Sequence, residues 1–496
     1  MAGASASARD PRKPLRLGLL YAICGAVVLS PLLCARVPPL VDYPNHLARA
    51  WILVHRAQIP ALAANYIVQW RVLPDLAMDF VVSALAHIVP VEQAGRIFVA
   101  LTMAVLVVGT ASLHRALHGQ VGIWPLCSLL FLYNAALFWG FVSCLFATGV
   151  CLIVFSGWIA TRHWRPGVRL PIFATAAGIL FLLHLFAFGL YALLMVSYEL
   201  GIRLGERRFS LRSLIGWLAV WLQLVPGILL WRVSLSDAGS TLVEYGRFAD
   251  KLYALVSPFD FGVTPAPFDW LVAALISAGL VLALLTRSIG LAPRMRLPLA
   301  ALAAAAVLMP HRASGAWGAD LRLPVTLPFV IIASTRIEVS RRWAAAMAGL
   351  AGAAVLALRV GSVAQSWRDY DRWFTEFRAA SSVISPGSRL LVAAVPAILD
   401  HRLPGAPAFF AHFEPVVFTH MAALAVIDRA AFFPYLFTGW TTVAVTPGNL
   451  PIAQREGQPA RLADLASAAL PTAKPNAIGE LPYWRDWRTN FDVALV

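Results

Sequence analysis

Residues 97–117 read IFVALTMAVLVVGTASLHRAL. An α-helix of about 20 residues rises about 30 Å, the thickness of a bilayer's hydrocarbon core. The run carries one formal charge, Arg115, close to its end. It is the pattern of a helix dissolved in lipid. Working outward, similar runs lie at 15–34, 121–138, 143–160, 170–184, 187–203, 213–232, 269–287, 297–311, 322–336 and 343–360. The apolar stretches 121–160 and 170–203 are too long for one crossing each. Trp139-Gly140-Phe141 and His184 mark where they divide. About eleven transmembrane helices are expected on this segmentation.

Composition agrees. Of 496 residues, 59% are hydrophobic and 13% charged, and the mean hydropathy is +0.72. Soluble domains carry about a quarter charged residues. The net charge of +15 would suit a nucleic-acid partner only if it formed a patch. Instead the tail after residue 360 is balanced, with 11 basic and 11 acidic residues, and the whole excess lies in residues 1–360. There it sits in short clusters between apolar runs, the pattern that fixes membrane topology, so no nucleic-acid partner is expected. Five cysteines, Cys24, Cys34, Cys127, Cys144 and Cys151, show no disulfide or metal spacing. Leu33 is too large to precede a lipoprotein cysteine. No A-x-A site follows 15–34, so an uncleaved first helix is expected.

The clusters are Arg9/Arg12/Lys13/Arg16, Arg115, Arg162/Arg165/Arg169, Arg203/Arg207/Arg208/Arg212, Arg287/Arg294/Arg296 and Arg336/Arg341/Arg342. Residues 75–90 decide the topology. They are apolar but short, and carry Asp75, Asp79 and His87. If they crossed, most later clusters would fall outside. If they lie along the outer face, every cluster is cytoplasmic. The second arrangement predicts an interfacial helix at 75–90, an N-terminus inside and a C-terminus outside. Residues 1–360 then form the membrane domain, with a long outer loop at 36–96 and further outer segments near 233–268 and 312–321. Residues 361–496 form a C-terminal periplasmic domain. Pro386-Gly387 before the strand-like Ser388–Val395, with helical periodicity in Arg368–Ala380 and His420–Phe433, predicts a small α/β fold there. The fold class expected is thus mainly α: a polytopic helical membrane protein with a small C-terminal extracytoplasmic α/β domain.

The stretch richest in chemistry is Val37–Arg56, VPPLVDYPNHLARAWILVHR. Pro44 suits the first turn of a helix. Leu47, Trp51, Val54 and Gln58 would share one mostly apolar face of an interfacial helix. Asp42 precedes that helix and His46 sits in its first turn. Asp42 either serves chemistry at the membrane surface or simply favours a helix N-terminus. His46 serves with it or faces water.

The arrangement resembles the GT-C superfamily, membrane glycosyltransferases that use polyprenyl-phosphate sugars. A first span is followed by a long outer loop with an acidic residue near its start, interfacial helices, short paired spans and a terminal outer domain. The family's first-loop acid corresponds to Asp42 in DYPNHLAR. Many members carry a paired Asp-Glu, and here Tyr43 follows Asp42. Asp75 and Asp79 in LPDLAMDF are further acids of the same loop. The resemblance implies transfer, with inversion, of a sugar from a polyprenyl-phosphate donor to a lipid, glycan or protein acceptor at the outer face of the inner membrane.

Such chemistry needs a carboxylate to take the acceptor's proton and cations to neutralise the departing phosphate. Arginine's planar fork suits phosphate, and a divalent metal would serve the same end. Arg312 begins the third outer segment, and Asp320 and Arg322 end it in GADLRLP. Arg322 either resembles the family's lipid-phosphate contacts or snorkels and pairs with Asp320. His184 and Asn134 interrupt apolar runs, and each either faces an outer cavity or bonds the backbone of a turn. Glu244–Lys251 suggests an amphipathic lid helix. His412, Glu414 and His420 do not make a recognised metal spacing. Trp367, Trp373, Trp484 and Trp487 suit either sugar stacking or packing. A transporter or flippase, or a non-catalytic envelope-assembly subunit, are the alternatives. Against a transporter, no inverted repeat is visible and the ionisable residues cluster at the ends of spans.

Overall fold

The computed structural model describes residues 12–205, 210–235, 243–260, 266–313, 316–338, 341–394, 415–438, 441–453, 460–462, 465 and 483–496. It is mostly helical with few strands. The first part of the chain forms α1 (Arg12–Leu29), α2 (Tyr43–His55), α3 (Pro60–Asn65), α4 (Ala77–Ala86), α5 (Val91–His118), α6 (Ala135–Phe138), α7 (Val142–Ala160), α8 (Pro166–Leu183) and α9 (Leu185–Leu204). Then come α10 (Leu211–Val220), α11 (Val225–Leu235), α12 (Phe248–Val256), α13 (Ala266–Leu285), α14 (Arg296–Leu308), α15 (Ala319–Ser334) and α16 (Arg342–Ala380).

Seven helical stretches among the described residues are long and apolar enough to cross a membrane: 15–33, 91–118, 142–160, 166–183, 185–204, 213–234 and 342–383. The chain is therefore compatible with a membrane protein. The expected runs at 269–287, 297–311 and 322–336 fall on α13, α14 and α15, and the last two helices have only 13 and 16 residues.

The run at 121–138 is not the α-helix its hydropathy predicts. It is a 3-10 helix over Trp124–Phe131 followed by the single turn of α6. Two residues explain this. Pro125 lacks an N–H and starts the 3-10 segment. Asn134 is buried, its amide donates to Phe131 O at 2.7 Å, and its Oδ1 accepts the Leu137 N–H at 3.0 Å. The side chain replaces the ladder bonds and caps α6. The segment still climbs beside α1. Tyr21 Oη donates to Gly122 O at 3.0 Å, Tyr133 Oη to Val28 O at 2.6 Å, and the Val41 N–H to Phe138 O at 2.8 Å.

His184 breaks the next run as expected. Its backbone is extended and its Nδ1 accepts the Phe186 N–H at 3.0 Å, capping α9. α5 and α7 pack closely because Gly109 and Gly149 face each other, and a Cβ on Gly149 would meet the Leu106 N at 2.7 Å.

Two polar ends result. At one, Glu199 lies 2.7 Å from Arg203 and 3.8 Å from Arg169, which stacks on Trp158. There β3 (Ile289–Leu291) pairs with β5 (Thr335–Ile337). At the other, Glu92 at the start of α5 takes Arg378 at 3.0 Å and Arg36 at 3.4 Å. Between the ends, Arg359 of α16 reaches Asp269 at 2.5 Å and donates to Tyr133 O at 2.6 Å. A buried guanidinium is tolerable only when its N–H groups are filled in this way.

α4 has ten residues, about 15 Å of helix, too short to span. α2 departs from expectation. It starts at Tyr43-Pro44 as predicted, yet Pro44 through Ala50 are buried, so it lays no broad face on lipid. It is held between the helical bundle and the tail. β1 (Tyr66–Val68) of the first loop pairs antiparallel with β7 (Val443–Val445) of the tail. Ala48, Ile52, Leu62 and Tyr66 share one core with Leu391, Val426, Phe433 and Val443. The strand expected at Ser388–Val395 is β6 (Leu390–Ala394), parallel to β8 (Ala460–Arg461) and β9 (Val493–Leu495). The segment 368–380 continues α16, and Leu424–Arg429 is a short helix within 420–433.

Candidate functional site

Asp42 ends a turn that is fixed from outside the first loop. Its N–H donates to Trp139 O at 3.2 Å. Gly140 adopts φ +88°, and a Cβ there would lie 2.9 Å from the Asp42 Cβ. Only glycine fits both the conformation and the approach. Asp42 precedes α2 but makes no side-chain cap bond. Asp42 thus stands before α2 without capping it by a hydrogen bond.

What Asp42 meets is His420, 375 residues from Asn45, which holds it. His420 Nε2 lies 3.5 Å from Asp42 Oδ1. Asn45 Nδ2 lies 2.6 Å from His420 Nδ1 and 3.2 Å from Tyr435 O. The Phe437 N–H donates to Asn45 Oδ1 at 3.1 Å. That last bond fixes the amide: the oxygen accepts from Phe437, so the NH2 group donates to His420 Nδ1. Burial pushes His420 down to about 4, so the ring is neutral at pH 7. Its single proton is then on Nε2, directed at the carboxylate. About 20% of the Asp42 side chain stays exposed.

Burial raises the Asp42 carboxyl from its usual range to about 7. Arg322 opposes the rise and Asp75 adds to it. Arg322 also acts electrostatically on Asp75, Cys144 and His184, so these groups gather around one guanidinium. Its Cζ lies 4.8 Å over the Phe141 ring. Among the described residues its one hydrogen bond is a long one, 3.5 Å, to Trp317 O, and Nε has no partner. Asp75 adopts φ +70°, which aspartate tolerates better than most residues. Burial raises its carboxyl, while Arg49, Ser143 and Arg322 hold it down. Asp42 and Asp75 thus both feel the charge of Arg322, which lies against Phe141 and Trp317. Trp139 and Trp317 lie 4.3 Å apart, Phe141 and Trp317 6.4 Å.

The other candidates take different places. Asp79 is fully engaged, 2.7 Å from Arg49 Nε and accepting from Thr442 Oγ1 at 2.7 Å. Asp320 is buried against His311 at 3.0 Å and Lys251 at 3.3 Å, so it is not the partner of Arg322. Arg312 lies 3.7 Å from Glu244, where β2 (Val243–Glu244) meets β4 (Arg312–Ala313). His46 is buried rather than facing water. Its ring packs edge-on to Phe437 at 5.5 Å, and burial, with Arg49 and His420, keeps it neutral. Trp367 is buried, as packing requires, and Trp373 packs on Tyr370 and Phe418. His412 and Glu414 lie outside the described residues. Among the described residues no group of three His, Cys, Asp or Glu side chains could hold a metal ion.

No protein-family model, curated protein or solved structure matches the chain. The residues around Asp42 therefore carry the functional argument alone.

Proposed function

We propose that this chain is a membrane glycosyltransferase. It moves a sugar from a polyprenyl-phosphate donor to a lipid, glycan or protein acceptor at the outer face of the inner membrane. The observation that carries the reading is a recessed, partly open carboxyl, Asp42, backed by His420 and facing the under-bonded Arg322.

In this mechanism Asp42 takes the proton of the acceptor hydroxyl as its oxygen attacks the anomeric carbon. The bond from that carbon to the phosphate oxygen breaks, and the electron pair leaves with the lipid phosphate. Arg322 compensates the charge that builds there. The neutral His420 orients the base through its Nε2–H, and the aromatic group at Trp139 and Trp317 gives flat apolar surface for a sugar ring. The GT-C resemblance implies one displacement, with inversion.

The accompanying topology has eleven crossings, with 121–138 crossing as 3-10 and irregular chain and 75–90 lying on the outer side. The N-terminus is cytoplasmic, and the C-terminal part from 361 is an extracytoplasmic domain. The basic clusters then fall inside. A reporter active only outside the membrane should work when fused after Arg372 and be silent after Arg165 or Arg203. Activity at Arg203 with silence at Arg372 would invert the whole arrangement and remove Asp42 from the outer face.

The phosphate role of Arg322 has its own test. Arg322→Lys keeps the charge and loses the planar fork, so donor affinity should fall about tenfold, and Arg322→Ala should lower it further. Equal affinity in all three proteins, measured by equilibrium binding of a polyprenyl-phosphate sugar, would end the role.

A further inference from the structure

At the end of the bundle opposite Asp42 lies a cavity of about 610 Å³. Arg16 and Leu17 of α1, His114 and His118 of α5, Gly122, and Arg336 of β5 line it. Its chemistry is lopsided. Arg336 is paired with Glu338 at 3.0 Å, but both side chains are more than half exposed. A pair so exposed is weak and readily exchanged. Arg16 makes no ion pair among the described residues and supplies surplus positive charge. His114 is 4% exposed, and its Nδ1 has no hydrogen-bond partner. His118 Nε2 also lacks one, and the two rings lie 4.5 Å apart. Both rings lie against the backbone at the end of α15, His114 beside Ile332, Ala333 and Thr335 and His118 beside Ala333 and Ser334.

The cavity also has an apolar side. Leu17, Leu20 and Ile123 line it, and Ile123 is 66% exposed. α1 is only 17% buried along its apolar stretch. This wall is therefore open sideways, toward the bilayer that such a helix would sit in. A soluble anion would have no use for it.

We propose that this cavity binds the phosphate headgroup of an anionic membrane lipid. Arg16 and Arg336 grip the phosphate oxygens, and the acyl chain lies along Leu17, Leu20 and Ile123. The site is separate from the groups around Asp42 and does not depend on the transferase reading.

The test uses the purified full chain in a non-ionic detergent. The probes are dioleoyl phosphatidylglycerol, the neutral dioleoyl phosphatidylcholine, and inorganic phosphate. The wild type should hold the anionic lipid at least about tenfold more tightly than the neutral one. Arg16→Gln should weaken this about tenfold, as one lost charge-assisted contact predicts. Gly122→Phe is the second variant. A Cβ on Gly122 meets nothing within 4 Å, so the ring enters the cavity while every charge stays. It should weaken the anionic lipid at least as much. Arg372→Gln, an exposed arginine at the other end, should leave this binding unchanged. Equal retention of both lipids overturns the proposal. So does wild-type binding by Gly122→Phe, which would mean adsorption on a basic surface. Displacement of the lipid by millimolar inorganic phosphate would make it a site for free anions instead.

Discussion

Asp42→Asn should reach the membrane in normal amount and lose transfer by about a hundredfold to ten-thousandfold, the usual contribution of a general base. The substitution keeps the shape and removes the basicity. It also removes a buried carboxylate, so stability should not suffer. The sign can be worked out. The folded-state carboxyl titrates at about 7, above its usual 3.8. Folding therefore favours the protonated form. That contribution is full below about pH 4 and disappears as the pH rises through 7, so at neutral pH the ionised group brings no stability that Asn would forfeit. Activity has the opposite dependence, because only the carboxylate accepts a proton. The wild-type kcat/KM for the acceptor should rise with pH around a midpoint near 7, and the residual rate of Asp42→Asn should lack that limb. His420→Ala should shift the limb and lower kcat, while His46→Ala, which leaves the Asp42 contact intact, should be milder. Normal accumulation of Asp42→Asn with full product formation would remove the catalytic role. A transporter or an assembly subunit would then be the better reading.

Much of this site was legible in the sequence, and one part was hidden. Asp42 stands out because it follows a long apolar run and precedes Pro44, two local signals. Arg322 stands out because a charge at the start of an apolar run is expensive. Asn45 and His420 give no such signal. Their pairing depends on the tail folding back on the first loop, through β1 with β7 and a shared core. A contact across 375 residues leaves no period or spacing to read. The same long-range packing explains why α2 was expected on the membrane surface. Its apolar positions suit lipid and protein equally, and only tertiary structure decides between them. The 3-10 course of 124–131 is a different case. Hydropathy measures solubility in lipid and says nothing of which helix carries it, so the evidence for the break lay in Pro125 and Asn134, which an apolar average overlooks.

Asp79, the other acid of the first loop, should fail in the opposite way from Asp42. Its carboxylate is 1% exposed and the partnering Arg49 side chain 3%. The pair joins α2 to α4, and Thr442 adds the tail through a 2.7 Å bond, one residue before β7. Breaking a buried pair leaves one charge without compensation and typically costs about 3–5 kcal/mol. Asp79→Leu should therefore lower the unfolding midpoint sharply and expose the tail to limited proteolysis, because Arg49 is stranded and Thr442 loses its acceptor. Replacing both ions by apolar residues of similar volume is often neutral. Arg49→Met combined with Asp79→Leu should thus recover most of the lost stability and restore tail protection. A catalytic Asp79 predicts something else: Asp79→Asn would remain folded, with tail protection intact, yet be as inactive as Asp42→Asn, and the double variant would gain nothing. Measuring proteolytic half-life alongside transfer per folded molecule separates the two. The geometry favours the first outcome, since a carboxylate with Arg49 on one oxygen and Thr442 on the other has little capacity left to take a proton from an acceptor.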